Sequence, residues 1–407
     1  MFSNILQSST LRVFLISNFG NFFSFLYVIY ISKVLKVGDF SLITSSISLI
    51  GMLTLVSSFF VPIISQQVSS NYNKYIKKFY ISSIFKFSVI FLFIGIIFYI
   101  LKDFFFNTLK FDSELFLILL ILIFFLNSLL NLNDGFILGA RMYQVHAFSN
   151  LIQHSLRLIT VVILLSFLKD LNLILFAFVL SLIICNFFLV SKLKNYQYFS
   201  GTGQILEKNI NALSKKFFII IMISITTYTF LNLDAVYARK LFTEDTSGYY
   251  IAVAILGKIS FYLLVAIIPI IIPKTSFESV NNFNTKMYIV KLLLVIFSYL
   301  ILSSIIFLFF KDLILSLMFS PEYVKLSSLI FLTNLNFVFL SASIVLMNYL
   351  FAINFYKPII ISFLISIIFF PMIYFIELPL DLIKICLFLN LLIFFNLIIH
   401  FYRLKKL

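Results

Sequence analysis

The chain has 407 residues, 62% of them hydrophobic and 11% charged, and a formal net charge of +15. A water-soluble domain holds nearer half apolar and a quarter charged residues, so a globular core in water is excluded and lipid is the solvent this composition requires. The positive balance then reads as Lys and Arg on the cytoplasmic loops of a polytopic protein, not as a nucleic-acid surface.

Twelve apolar stretches are long enough to cross a hydrocarbon core of ~30 Å. They run over residues 11–34, 40–65, 79–101, 115–140, 147–168, 170–191, 216–241, 247–273, 287–310, 324–351, 356–376 and 380–402. The first lacks a small-residue cleavage site and is too long for a cleavable signal, so it is expected to stay as a span. The fifth and sixth are parted only by Lys169–Asp170, which demands a very tight turn. Cys185 and Cys386 lie inside apolar stretches and mark neither a disulfide framework nor a CxxC site.

More Lys and Arg fall on the N-terminal side of the membrane, including Lys74, Lys77, Lys78, Arg141, Lys192 and Lys194, while acidic residues such as Asp39, Asp103, Glu114 and Glu244 fall on the other. This bias places the N-terminus inside, and an even number of spans puts both termini in the cytoplasm. The longest loop, 192–215, is polar and basic and sits mid-chain, so it reads as a cytoplasmic linker between an N-terminal bundle (1–191) and a C-terminal bundle (216–407). The halves look related: one register aligns Lys33 with Lys240, Ser41 with Gly248 and Pro62 with Pro269. The expected fold is therefore all-α, about twelve transmembrane helices in two six-helix bundles forming a parallel repeat around a central cavity.

Ionisable residues inside spans are the functional signal, since each costs ~2.5–3.5 kcal/mol at a helix centre on insertion scales. They are Lys86, Asp134, Arg157, Asp234, Lys258 and Lys291. Lys291 and Lys86 are near enough to a helix end to snorkel, whereas Arg157 and Lys258 are mid-span, where a water-filled cavity or an ion pair is needed. Asn127, Asn131, Asp134 and Arg141 share one helix side, Gln153 and Arg157 another, and Asn18 and Asn21 are three apart. Such amides either glue helices together or line a polar path. His146 is expected in a solvated turn, and His154 has no partner at ligand spacing, so neither a metal nor a cofactor is expected.

Gly257-Lys258 has no Gly five residues before it and is followed by Ile, so it is not a P-loop and does not hydrolyse ATP. The chain has neither an HExxH motif nor a large outer loop with paired carboxylates, which argues against a protease or glycan-polymerising enzyme.

Three segments carry a family resemblance: Ser32-Lys-Val-Leu-Lys-Val-Gly-Asp-Phe-Ser-Leu; Leu233-Asp234-Ala with the later Gly248-Tyr-Tyr-Ile-Ala-Val-Ala; and Leu317-Met-Phe-Ser-Pro-Glu-Tyr. In these the chain resembles Wzx-type polysaccharide (O-antigen or capsule) flippases of the multidrug/oligosaccharidyl-lipid/polysaccharide exporter superfamily. Each motif is degenerate, so the resemblance names a superfamily better than a substrate. It implies a monomeric, multi-pass bacterial inner-membrane transporter, not an enzyme, that moves undecaprenyl-diphosphate-linked oligosaccharide by alternating access, with ion coupling left open. Polysaccharide polymerase and chain-length proteins are the further partners it allows, beside the bilayer itself. On that reading Arg157, Lys258, Lys86 and Lys291 attract the diphosphate, and Asp134 and Asp234 are counter-ions or an ion relay. Asn18, Asn21, Asn127, Asn131 and Gln153 line the polar cavity. The alternatives are a drug or metabolite efflux antiporter of the same superfamily and a membrane glycan polymerase or ligase.

Overall fold

The computed structural model describes residues 8–70, 77–111, 113–195, 210–265 and 285–403. Among them the secondary structure is helical, and ten helices are long and apolar enough to cross a membrane. The protein is a multi-pass membrane protein; of the two other expected spans, 40–65 falls on short helices and 247–273 runs partly outside the described residues.

The chain folds as two compact units, one of 1–35 with 49–217 and one of 36–48 with 218–407. The sequence division at the basic linker differs in one respect: residues 36–48 pack with the second unit. Part of the linker itself, 196–209, lies outside the described residues.

The first unit contains α1 (Ser8–Val34), α3 (Leu55–Ser58), α4 (Phe60–Ser70), α5 (Lys77–Ile100), α6 (Lys102–Leu109), α7 (Glu114–Gly139), α8 (Tyr143–Phe167) and α9 (Leu171–Lys194). Here α8 packs along α1 and α9, and α7 along α4, α5 and α9. Caps set the boundaries. The Ser113 hydroxyl accepts from the Phe116 N–H at 3.3 Å to start α7, and Asp170 accepts from the Asn172 N–H at 2.9 Å to start α9. That aspartate makes the tight turn after Phe167 workable.

The expected second span, 40–65, is broken into α2 (Val37–Leu53), α3 and α4. Its sequence supplies the cause. Thr54, Ser57 and Ser58 return their hydroxyls to the Gly51, Thr54 and Leu55 carbonyls at 2.9, 2.7 and 2.8 Å, which competes with the helical ladder. Pro62 has no N–H for the Ser58 carbonyl, and the interruption at Phe59 falls just before it.

The second unit contains the start of α2, then α10 (Ile210–Leu241), α11 (Glu244–Val265), α12 (Thr285–Met318), a 3₁₀ turn (Pro321–Leu329), α13 (Ile330–Ala352), α14 (Lys357–Ile367), α15 (Phe369–Met372) and α16 (Pro379–Arg403). Its centre is α13, which packs on α11, α12 and α16 and is buried over most of its length. The interruption after Ile367 precedes Pro371, which cannot donate to the Ile367 carbonyl. Pro269 lies outside the described residues.

Two helices end in the same kind of turn. After α7, Arg141 takes φ 60°, with Arg141 N–H on Leu138 O and Met142 N–H on Ile137 O, both 3.0 Å. After α13, Asn354 takes φ 59°, with Asn354 N–H on Phe351 O at 3.0 Å and Phe355 N–H on Leu350 O at 2.9 Å. Both are Schellman closures, the second with the Asn such a left-handed position favours.

The residues that the repeat register aligns near Ser41 and Gly248 meet in the second unit. Ser41 and Ser247 share a hydroxyl–hydroxyl hydrogen bond of 2.5 Å. Arg239, 2% exposed, donates to the Gly38 carbonyl at 3.2 Å and to Glu244 at 3.1 Å. Phe40 sets its ring edge-on to Phe319 and Tyr323, with centroids 6.1 and 5.7 Å away. A chain carrying both Ser41→Cys and Ser247→Cys is expected to form a disulfide on mild oxidation, because the two side chains already meet at bonding range. The measurement is loss of maleimide labelling relative to either single variant, restored by reductant.

Candidate functional site

Two buried charge centres lie in the first unit. Arg157, on the middle of α8, is 5% exposed. Its Nη2 donates to the Ser24 hydroxyl of α1 at 2.9 Å and meets His154 Nδ1 at 2.9 Å. The Tyr27 and Phe178 rings each have their centroid 4.5 Å from the guanidinium carbon. A flat, weakly hydrated cation between two π-faces is held where an ammonium would fit poorly. Gly20 makes room for this: a Cβ there would stand 3.3 Å from the Asn150 and Leu151 backbone, so α1 and α8 run in close contact.

The second centre joins Asp134 of α7 to His146 of α8 at 2.8 Å. The turn between these helices spans only Ala140–Met142, so residues about a turn to either side of it face each other. His146 therefore sits in the first turn of α8 on a carboxylate, where the sequence suggested a solvated turn. Asn150 lies 3.5 Å from its other ring nitrogen.

The second unit holds one ion pair among the described residues with both partners buried, Lys258 Nζ of α11 to Asp234 Oδ1 of α10 at 3.0 Å, with residue exposures of 8% and 2%. The Lys258 ammonium also lies 5.5 Å from the Phe337 ring centroid. An uncharged polar chain begins two residues further along α11: Ser260 donates to Asn334 Oδ1 at 2.6 Å, and Asn334 donates to Ser303 at 2.9 Å. Asn390 donates to Asn336 at 2.7 Å on the same helix, α13.

The remaining sequence candidates are placed as follows. Asn131 donates to Ser57 of α3 at 2.8 Å, next to the interruption in the second span. Gln153 is buried one turn from Arg157. Asn18 and Asn127 are half-buried, and Asn21 is exposed. Lys86 and Lys291 are exposed on helix faces that also expose Phe85 and Val89, and Leu294 and Val295, respectively. The structure does not place them in the buried pairs, and each can extend along an apolar face toward headgroup level.

Four participants were not legible as such. Arg239 counted as a loop charge, yet it is buried. Asn133 was passed over beside Asn131 and Asp134, yet it accepts from Tyr80 and donates to Asn186, each at 2.9 Å. Tyr27 and Phe178 were two aromatics among many. A signal existed for His146 alone, in its spacing of twelve from Asp134 across a short turn. Among the described residues no three His, Cys, Asp or Glu side chains group as metal ligands would.

No family model matches the chain, and no curated protein matches it. Solved structures do. The chain is similar to an inward-facing multidrug resistance MATE family transporter of the MOP superfamily, with TM-score 0.73 and 12% identity over 94% of this chain and 93% of that one. It is similar to the lipid II flippase MurJ in its inward closed conformation, with TM-score 0.72 and 17% identity over 96% and 86%. It is also similar to a mutant of the Vibrio cholerae MATE transporter VcmN, with TM-score 0.66 and 12% identity over 98% of each chain. At such identities the likeness is one of fold: the chain has the architecture these transporters share.

Proposed function

We propose that the protein is a flippase that carries undecaprenyl-diphosphate-linked oligosaccharide across the bacterial inner membrane by alternating access, with both termini in the cytoplasm. The observation that carries this reading is the Arg157 guanidinium, buried on the middle of α8, in a chain with the fold of a lipid flippase. A diphosphate headgroup is anionic, and a bare charge in the low-dielectric core is very costly. Fixed cations lower that barrier because their field is weakly screened there. Sugar hydroxyls would be met by amides such as Gln153, Asn18 and Asn127, and polymerase and chain-length proteins would act on the product outside.

The test is the pool of lipid-linked oligosaccharide in a strain lacking the gene. Accumulation of undecaprenyl-linked glycan with loss of surface polysaccharide is the expected outcome; a normal pool with an intact surface ends the proposal. A second reading, export of small drugs or metabolites, draws on the similarity to MATE transporters. Altered drug sensitivity of the same strain, with a normal lipid pool, would favour it.

A further inference from the structure

The Asp234–Lys258 pair stands apart from the Asp134–His146 pair of the first unit because both its partners are buried. Lys258 is fixed by its surroundings. A Cβ at the preceding Gly257 would come within 2.9 Å of the Phe337 ring and 3.0 Å of the Thr333 backbone, so α11 and α13 touch there. The ammonium is thereby held 3.0 Å from Asp234 and 5.5 Å from the Phe337 centroid. Among the described residues, the other titratable side chains bearing on Asp234 are Tyr250 of α11 and Cys386 of α16. The contacts of α10 with α14 and α15, Thr226 to Ser366 and Phe230 to Phe369, bring no charge.

The repeat register that aligns Lys33 with Lys240 puts Tyr27 opposite Asp234 and Gly51 opposite Lys258. Neither residue has a charged counterpart at the aligned position of the first unit. A carboxylate 2% exposed is strongly destabilising unless something positive neutralises it.

We propose that Lys258 is a tethered counter-cation, standing where a proton or a small soluble cation would otherwise have to neutralise Asp234, so that removing its charge turns Asp234 into a binding site for Na⁺ or H⁺. The source of the positive charge is covalent, and the site asks nothing of the solution. The consequence for transport rests on the flippase reading: the second unit's carboxylate would draw no ion from either side during the cycle.

The experiment uses the purified full chain in detergent and reads melting temperature, with Na⁺ exchanged for choline and with pH 8 exchanged for pH 6. Lys258→Met is expected to melt below the unsubstituted protein. It should regain part of the loss on adding Na⁺, on lowering the pH, or both, and the two exchanges tell cation from proton. The double variant Asp234→Asn with Lys258→Met lacks the carboxylate and is expected to melt above Lys258→Met and to show neither gain. Identical responses in the single and double variants would overturn the proposal. Should Lys258→Met fail to accumulate, rescue of accumulation by the added Asp234→Asn supports it, and a double variant that fails equally overturns it. None of these readouts depends on the cargo, so failure here and a normal lipid-linked pool in the deletion strain are separate results.

Discussion

Arg157→Gln is expected to lower export of the lipid-linked glycan at least ~10-fold, equivalent to ~1.4 kcal/mol in the barrier, while the protein remains in the membrane. The guanidinium meets Ser24 and His154 at 2.9 Å each and lies 4.5 Å from two ring centroids. Gln can reach one of the two polar partners, carries no charge and gains nothing from the π-faces, each of which is worth ~0.5–2 kcal/mol to a cation. Insertion does not suffer, because a mid-span Arg itself costs ~2.5–3.5 kcal/mol and Gln carries no charge. Lys at the same place keeps the charge but not the flat fork between two rings, so Arg157→Lys should fall between the two. The readouts are the lipid-linked pool, surface glycan and the amount of membrane-embedded protein in the same cells. Full export by Arg157→Gln would remove this residue from any role toward the headgroup.

The order of the long spans was legible because the signal is coarse. A stretch of twenty apolar residues is read from composition, whereas the aspartate cap that makes the turn at Lys169–Asp170 workable was not read from the sequence. The interruption of the second span was not read, although its causes are plain residues. Thr54, Ser57, Ser58 and Pro62 leave the stretch apolar on average, and hydropathy is blind to what each does to the ladder. At the candidate site, the sequence picked out the expensive charges as unusual but could not pair them. Asp234 and Lys258 are 24 residues apart on separate helices, and their meeting depends on how α10 and α11 pack. The same limit hid Arg239, whose burial comes from residues 36–48 lying on the second unit. Exposed Lys86 and Lys291 illustrate the converse: depth along a helix is visible in sequence, but the direction a residue faces is not when every face is apolar.

Gly248→Val is expected to destabilise the second unit by roughly 2–6 kcal/mol, summing ~1–3 kcal/mol of overpacking and ~1–3 kcal/mol for a buried polar group left without its partner. At Gly248 an added Cβ would collide with Val37 Cγ1 and stand 2.5 Å from the Val37 carbonyl oxygen. A methyl end can turn away, but a backbone oxygen cannot, so the start of α2 must lift from α11. Lifting it breaks the Ser41–Ser247 bond, withdraws the Gly38 carbonyl from Arg239 and parts Phe40 from Phe319 and Tyr323. Arg239 is then buried with one acceptor fewer, which adds to the loss. The measurement is the melting temperature of the purified chain, together with oxidative cross-linking when Ser41→Cys and Ser247→Cys are both added to the Gly248→Val background. A lower melting temperature with slower cross-linking is the expected pair of results. An unchanged melting temperature and an undiminished cross-link would mean that this glycine is not what lets the two helix starts meet.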